Sequence, residues 1–140
     1  MLSPYRVLDL TDERGQLAGA TLADLGAEVI LVEPPDGSRA RQLPPFVTGR
    51  EGDPEASLWF WSYNRGKRSI SLDLDDPIDH GNFLELVAGA DIVLESDRPG
   101  AMAERGLGYD VLSAVNPGIV MTSISPFGGS GPKADWVATD

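Results

Sequence analysis

The sequence predicts an α/β domain with a Rossmann-like, mostly parallel sheet and flanking helices. Short apolar runs alternate along the chain with segments of helical periodicity, and EVILVE (residues 28–33) is the clearest run. A near-continuous apolar run is typical of a strand that is covered on both faces, which is the usual setting of a parallel strand. Strands that alternate with helices in this way indicate a parallel sheet.

The first three predicted elements form a β-α-β unit. A strand at residues 5–10 is followed by a helix that Gly26 ends, and then by the strand at 28–33. Parallel neighbours need such a crossover connection. Residues 34–57 hold five prolines and three glycines and are predicted to be a loop. The aromatic-rich segment LWFWSYN, residues 58–64, is expected to be buried.

The second half of the chain contains a clear helix start. Asp76 supplies a capping carboxylate, and Pro77 occupies the first helical position, where its missing N–H is not needed. The helix is predicted to run to about Val87 and to stop at Gly89. The other predicted elements are strands at 69–74, 91–95 and 118–125, one or two short helices before the last strand, and a glycine-rich loop after it.

Composition excludes some classes of function. The formal net charge of −11 argues against binding of nucleic acid and against docking on an anionic membrane. The chain has no cysteine and a single histidine, His80, so no Cys- or His-rich metal site is expected. No apolar run reaches the length of a membrane span, and the first residues do not resemble a signal peptide. We therefore expect a cytoplasmic protein.

One compact basic turn interrupts this acidic chain. Within NRGKRSISLDL, residues 64–74, three of the eleven cations fall in four positions: Arg65, Lys67 and Arg68. Two interpretations are open for Lys67 and Arg68. They bind the phosphates of a ligand, or they hold the preceding loop against the sheet through ion pairs and hydrogen bonds.

A nicotinamide-binding domain is the weakest alternative. The segment after the first strand reads RGQLAG, in which Gly15 and Gly19 lie four positions apart. The pattern G-x-G-x-x-G is absent, so the glycine that lets the backbone approach a pyrophosphate is missing. A structural explanation for Gly19 is close packing of the helix against a strand.

Six ordered blocks of the sequence resemble the class III CoA-transferase family, the group that includes formyl-CoA transferase, carnitine CoA-transferase and the α-methylacyl-CoA racemases. The blocks are VLDLT, LADLGAEVILVEPP, NRGKRSISLDL, ADIVLESDRPGAMAERGLGYD, NPGIVMTSISPFGGSGP and WVATD. The resemblance runs from Val7 to Asp140. It implies that residues 1–140 are the N-terminal portion of the family's large domain, with the rest of that domain and the small domain absent.

The resemblance implies an acyl-CoA:carboxylate CoA-transferase that works through an aspartyl-acyl anhydride and assembles as an interlocked homodimer. The nucleophilic aspartate would lie beyond this chain, which alone would be inactive. Asp140 matches an acidic position that lines the active site. Thr139 stands where racemases carry a catalytic histidine, which disfavours racemase chemistry. The alternative is a non-catalytic paralogue or a partner subunit that needs a second chain.

Positions that contact coenzyme A carry over from the family one at a time. Leu72 matches the position that packs against the adenine. Ser96, Asp97 and Arg98 match the turn that lines the nucleotide and pantetheine channel. Arg14 falls in a loop one residue shorter than the usual family form, at the edge of the thioester pocket.

Several phosphate-binding charges of the family are absent or moved in this chain. Arg105 falls beside the family's cation for the ribose phosphate, and Glu104 occupies that cation's own position. Asp75 and Pro34 replace two further cations. The cations available as substitutes are Arg41, Arg98, Arg105 and the three residues of the basic turn, Arg65, Lys67 and Arg68.

Overall fold

The computed structural model describes residues 1–138, which form a Rossmann-like α/β fold around a five-stranded sheet. Every strand pairs in parallel with its neighbours, so the described sheet is wholly parallel and not only mostly so. The spatial order of the strands is β3-β2-β1-β4-β5. The strands are β1 (Arg6–Leu10), β2 (Glu28–Glu33), β3 (Arg68–Ser71), β4 (Ile92–Glu95) and β5 (Val120–Ser123).

This strand order creates a switch point at the carboxyl end of β1. The chain moves outward from β1 to β2 and β3, then returns past β1 to β4 and β5. The loops that follow β1 and β4 therefore separate at neighbouring strand ends, and a crevice opens there. The helical elements are α1 (Gln16–Asp24), a 3-10 turn (Arg39–Gln42), α2 (Leu58–Asn64), α3 (Pro77–Ala88), α4 (Ala101–Glu104) and α5 (Tyr109–Val115).

Alternating side chains of the strands divide the core between the two faces of the sheet. On β1, Leu8 belongs to a cluster with Phe83 and Val87 of α3 and Leu112 of α5. The adjacent Val7 belongs to a second cluster, which packs against α1. Because side chains alternate across a strand, Asp9 shares the face of Val7 and points toward α1. In this position Asp9 can pair with Lys67 of the basic turn.

The predicted start and end of α3 are confirmed. The Asp76 carboxylate accepts hydrogen bonds from the backbone N–H groups of Ile78 and Asp79, Pro77 is the first helical residue, and Gly89 caps the end. No helix within residues 1–138 combines the length and the apolar character that crossing a membrane requires.

The expectation that residues 58–64 are buried is wrong for most of the segment. These residues form α2, which rests on α1 and on the 3-10 turn with one face only. Asn64 is buried on that face, whereas Trp61 is 48% exposed. The Trp59 and Tyr63 rings pack on each other with centroids 4.3 Å apart. Aromatic composition alone did not reveal that this segment is a surface helix.

Candidate functional site

A cleft of about 310 Å³ lies at the carboxyl edge of the sheet, against the ends of β1 to β4. Four apolar side chains form part of its wall, contributed by β1, β2 and the segment after β3. Charged side chains of both signs surround this apolar part. The lining residues are Leu10, Thr11, Asp12, Val32, Glu33, Pro34, Ser38, Arg39, Leu72, Asp73, Leu74, Asp75, Asp97 and Arg105.

Three of the residues expected to contact coenzyme A line this cleft. Leu72 follows β3, donates its N–H to the carbonyl of Glu33 at 2.9 Å and is buried. Asp97 follows β4, and Arg105 follows α4. The structure thus brings together residues from three separate segments of the sequence at the edge where ligands bind in open α/β sheets.

Arg105 carries a positive charge into the cleft between two carboxylates. Its Nε donates to Asp75 Oδ1 at 3.1 Å, and its Nη1 donates to Asp97 Oδ2 at 2.9 Å. The Arg105 side chain is 38% exposed. It therefore remains accessible to a ligand that enters the cleft.

Arg39 is a second cation of the cleft, and the sequence did not predict its place there. Its Nη1 lies 3.5 Å from Glu13 Oε1, and its side chain is largely exposed. The Ser38 hydroxyl accepts a hydrogen bond from Ala40 N and starts the 3-10 turn that carries Arg39. A serine before a short helical turn is a recognisable capping signal, but it does not reveal which cleft the next side chain will border.

Arg14 and Ser96 both contact Asp12, which lines the cleft, and they join the loops after β1 and β4. Ser96 Oγ accepts a hydrogen bond from Asp12 N at 2.8 Å and donates to Asp12 Oδ1 at 2.9 Å. Arg14 Nε donates to Asp12 Oδ2 at 2.8 Å, and Arg14 Nη2 donates to the carbonyl of Ser96 at 3.1 Å. Burial raises the pKa of Asp12, but the hydrogen bonds from Arg14 and Ser96 outweigh burial and hold it below its ordinary value.

Arg41 lies in a groove beside the cleft and is bound by Glu33. Its Nε and Nη2 contact the two oxygens of Glu33 at 2.6 and 2.8 Å. Its guanidinium carbon stands 3.9 Å from the centroid of the Phe60 ring. Paired and largely buried, Arg41 fixes the 3-10 turn and α2 at the end of β2. Arg98 pairs with Glu104 on the surface and is not among the residues that line the cleft.

The structure does not bring the basic turn to the cleft. Arg68 starts β3 and pairs with Glu28, which starts β2, so both lie at the amino edge of the sheet, opposite the cleft. Arg65 pairs with Asp24 at the end of α1. The three cations are paired with acids that topology places beside them. These contacts favour the structural interpretation of the turn over the phosphate-binding one.

Lys67 is buried beneath α1. Its ammonium group lies 2.7 Å from Asp9 Oδ2 and also donates to the carbonyl of Gln16 and to Asn64 Oδ1, each at 2.9 Å. An ammonium group has three donors, and all three are used inside the protein. Burial lowers the pKa of Lys67, and the charge of Asp9 opposes that shift.

The remaining expectations concern metals and the chain end. Among residues 1–138, no group of three or more histidine or acidic side chains is arranged to hold a metal ion. Asp140 and Thr139 lie outside the described residues.

The parallel sheet and the apolar, arginine-bordered cleft at its carboxyl edge define an α/β protein of Rossmann type. The chain belongs to CoA-transferase family III, whose family model matches residues 2–140. This result confirms the family that the six sequence blocks indicate.

The curated relatives are identical to this chain at between a third and a half of the aligned positions. The chain is 44% identical over 140 residues to the probable fatty acyl-CoA transferase Rv3272 of Mycobacterium tuberculosis, covering 99% of this chain and 35% of that protein. It is 41% identical over 138 residues to the BbsE subunit of succinyl-CoA:(R)-benzylsuccinate CoA-transferase of Thauera aromatica, covering 99% and 33%. A succinate–glutarate CoA-transferase of Agrobacterium fabrum is 39% identical over 142 residues, covering 99% and 36%.

Solved structures give the same fold. A CAIB/BAIF family protein from Brucella suis superposes with a TM-score of 0.88 at 38% identity, covering 98% of this chain and 36% of that chain. The crystal structure of Rv3272 superposes with a TM-score of 0.87 at 41% identity, covering 100% and 38%. The chain spans about a third of the length of the curated relatives that it matches.

Proposed function

We propose that this chain is the N-terminal, coenzyme A-binding part of an acyl-CoA:carboxylate CoA-transferase, and that the cleft holds the nucleotide end of coenzyme A. The observation that carries the proposal is the juxtaposition of Leu72 with Arg105 at the carboxyl edge of a parallel sheet. Ligands of open α/β sheets bind at this edge. Membership of CoA-transferase family III supports coenzyme A as the ligand.

The lining of the cleft matches the chemistry of that ligand. Coenzyme A presents an apolar adenine face next to a ribose 3′-phosphate and a pyrophosphate. Leu72 and Leu74 offer the adenine an apolar surface, and Arg105 offers the phosphates a charged donor. Arg39 also lines the cleft and offers a second partner for phosphate. Ser96 and Arg14 hold the loops that border the channel toward the thioester.

The proposed substrates are an acyl-CoA donor and a carboxylic acid acceptor. The relatives from Thauera aromatica and Agrobacterium fabrum are named for reactions of this class. Transfer between two carboxylic acids needs no redox partner, since one thioester forms as another is consumed. We propose that the only cofactor-like group required is coenzyme A itself, which enters as the thioester substrate.

The proposed chemistry is covalent catalysis by a carboxylate. An aspartate of the enzyme attacks the thioester carbonyl, the carbon–sulfur bond breaks, and the thiolate of coenzyme A leaves. The acyl group remains on the aspartate as a mixed anhydride. In this proposal the nucleophile lies beyond residue 140, Asp140 lines the active site, and residues 1–140 bind and orient the donor without being active alone. Thr139 in place of a histidine favours transfer over racemisation.

Assembly as a homodimer in the cytoplasm belongs to the same proposal. A second candidate is a subunit that works only with a different chain. The observation that favours it is the name of the Thauera aromatica relative, which is itself one subunit of its enzyme. The mass and composition of the assembled protein distinguish the two: one kind of chain in a dimer supports the first, and two kinds of chain support the second.

Ligand-induced stabilisation tests the binding function. Coenzyme A, 3′-dephospho-CoA and NAD are added separately, and the free energy of unfolding is measured with each. A ligand that binds only the native state stabilises it by about 2.7 kcal/mol at a hundredfold excess over Kd. We expect the largest gain with coenzyme A, a smaller one with dephospho-CoA and none with NAD. A folded chain that no ligand stabilises would contradict a nucleotide site in this part of the protein.

A further inference from the structure

Arg105 connects two loops that border the cleft. Asp75, in the segment after β3, accepts from its Nε, and Asp97, after β4, accepts from its Nη1. The carbonyl of Arg105 also lies 3.1 Å from Nε2 of His80 on α3. We call Arg105, Asp75 and Asp97 the Arg105 clasp. All three line the cleft.

The clasp has more negative than positive charge. Two carboxylates share one guanidinium, so the group carries a formal charge of −1. The two ion pairs use Nε and Nη1, so a phosphate that approaches Arg105 meets a guanidinium that is partly occupied and two carboxylates that repel the phosphate. Binding at the Nε edge requires an exchange, in which a phosphate oxygen takes the place of the Asp75 oxygen, and binding at Nη2 still meets the negative charge of Asp75. Exposed ion pairs contribute little stability, so such an exchange is energetically accessible.

Asp75 is the more replaceable of the two acids. Its contact with Arg105 is longer, 3.1 Å against 2.9 Å for Asp97. Its side chain is 69% exposed, whereas that of Asp97 is 46% exposed. Asp97 can keep its hydrogen bond from Arg105 Nη1 while a ligand accepts the hydrogen bond from Arg105 Nε.

We propose that Asp75 competes with the ligand's phosphate for Arg105, and thereby limits how tightly the cleft holds a phosphorylated nucleotide. This inference rests on the proposed function, since it assumes that a phosphate of coenzyme A reaches Arg105. It makes Asp75 a determinant of affinity and of selectivity for the 3′-phosphate. The group placed at Arg105 in this inference is the 3′-phosphate monoester, and 3′-dephospho-CoA keeps the pyrophosphate but lacks that monoester, so its binding depends little on Asp75.

The test compares the affinities of coenzyme A and 3′-dephospho-CoA for variants of the chain by isothermal titration calorimetry. Asp75→Asn removes the competing charge and keeps the size of the side chain. We expect it to tighten binding of coenzyme A by about fivefold and to change binding of dephospho-CoA by less than about twofold. Asp75→Ser, which also shortens the side chain, provides a second variant with the same expected direction.

Asp73→Asn is the matched control for charge. Asp73 lines the same cleft and lies in the same segment, but its Oδ1 accepts from Asp75 N and not from an arginine. The amide of asparagine keeps that oxygen acceptor. Removal of this charge lowers the overall repulsion without freeing Arg105, so its effect on coenzyme A should be clearly smaller than that of Asp75→Asn.

Arg105→Ala separates failure of this inference from failure of the proposed function. A wild-type chain that binds no coenzyme A would overturn both, whereas an Arg105→Ala chain that binds coenzyme A as tightly as wild type would overturn this inference alone. If Arg105→Ala weakens binding but folded Asp75→Asn and Asp75→Ser bind coenzyme A no more tightly than wild type, competition by Asp75 is excluded and the proposed function stands. Equal gains from Asp73→Asn and Asp75→Asn would also overturn the inference, since general charge would explain them.

Discussion

Lys67 Nζ lies 2.7 Å from Asp9 Oδ2, and neither side chain is more than 1% exposed. The two residues are 58 positions apart in the sequence. Their ion pair, together with the bonds from Lys67 to Gln16 and Asn64, ties β1, α1 and the turn before β3 into one unit. Lys67, which was one candidate contact for a ligand, is thus part of the protein interior.

Replacement of Lys67 should strongly destabilise the fold. Lys67→Met leaves the Asp9 carboxylate buried without its cation, and breaking a buried pair on one side typically costs about 3–5 kcal/mol. Arg68→Ala is the control from the same turn, because Arg68 is 75% exposed and its pair with Glu28 should contribute about 1 kcal/mol or less. Urea denaturation of both variants measures the difference. Similar losses for the two would contradict the assignment of Lys67 to the core.

Arg68→Ala should also leave the affinity for coenzyme A unchanged. Arg68 lies at the amino edge of the sheet, whereas the cleft lies at the carboxyl edge. A cation that contacts phosphate would weaken binding by about tenfold when removed. Calorimetric titration of the folded variant makes this measurement. A loss of affinity of about tenfold would show that the basic turn binds phosphate.

Gly19 permits the close approach of α1 to β1. A Cβ at this position would lie 2.0 Å from Asp9 Oδ2 and 3.0 Å from Lys67 Nζ. The structure therefore confirms the packing explanation for this glycine. Gly19→Ala should destabilise the chain by roughly 1–3 kcal/mol, the usual cost of overpacking, despite the better helix propensity of alanine.

Gly81→Ala is the matched control on α3. Nothing lies within 4 Å of a Cβ built there, and the residue is in a helix interior. Alanine should therefore stabilise the chain by about 0.5–1 kcal/mol. Opposite signs for the two substitutions in thermal or urea unfolding would support the account. A neutral result at Gly19 would show that the Asp9–Lys67 pair can move aside.

The stability of the fold should depend on the charge of Glu33. Burial raises the pKa of Glu33, but hydrogen bonds from Arg41, Ser69 and the N–H of Ser38 outweigh burial and hold the pKa below its ordinary value of 4.5. A folded-state pKa below the unfolded value means that the unfolded chain binds the proton first as pH falls. The stabilisation is therefore complete above pH 4.5 and is lost as pH drops through the folded-state pKa.

Glu33→Gln tests that dependence. At about pH 7 the variant should have a lower free energy of unfolding than wild type, because Arg41 loses its charged partner. The difference should shrink as the pH falls from the ordinary pKa of glutamate through the lower folded-state pKa, since wild-type Glu33 is protonated over that range, first in the unfolded chain and then in the folded one. Urea denaturation at a series of pH values gives both curves. A difference that stays constant through the acid range would assign the effect of the substitution to packing.

Local signals predicted those parts of the fold that depend on neighbours in sequence. The strand at 28–33 was predicted with its observed bounds because its apolar run is continuous. Asp76 and Pro77 marked the start of α3 because a cap acts within one helical turn. The aromatic segment that forms α2 was misjudged because exposure depends on which face meets α1, and that choice is made by tertiary packing.

The site was less predictable than the fold because its charges pair across long distances. Arg65 pairs with Asp24, 41 positions earlier in the chain, and Arg68 pairs with Glu28, 40 positions earlier. No local sequence pattern reveals such pairs. Arg39 was missed because its place in the cleft depends on the path of the loop after β2. Leu72 and Asp97 both line the cleft because parallel topology gathers the ends of successive strands at one edge, and Arg105 joins them through its bonds to Asp75 and Asp97.

The most direct test of the central proposal is an NMR titration of the isotope-labelled chain with coenzyme A. The proposal predicts that the amide signals of residues 72–75, Asp97 and Arg105, which line the cleft, shift and saturate together. The amides of the basic turn at 65–68, at the opposite edge or beneath α1, should change little. Shifts centred on the basic turn, or no shifts from a folded sample at high ligand concentration, would contradict a nucleotide site in this cleft.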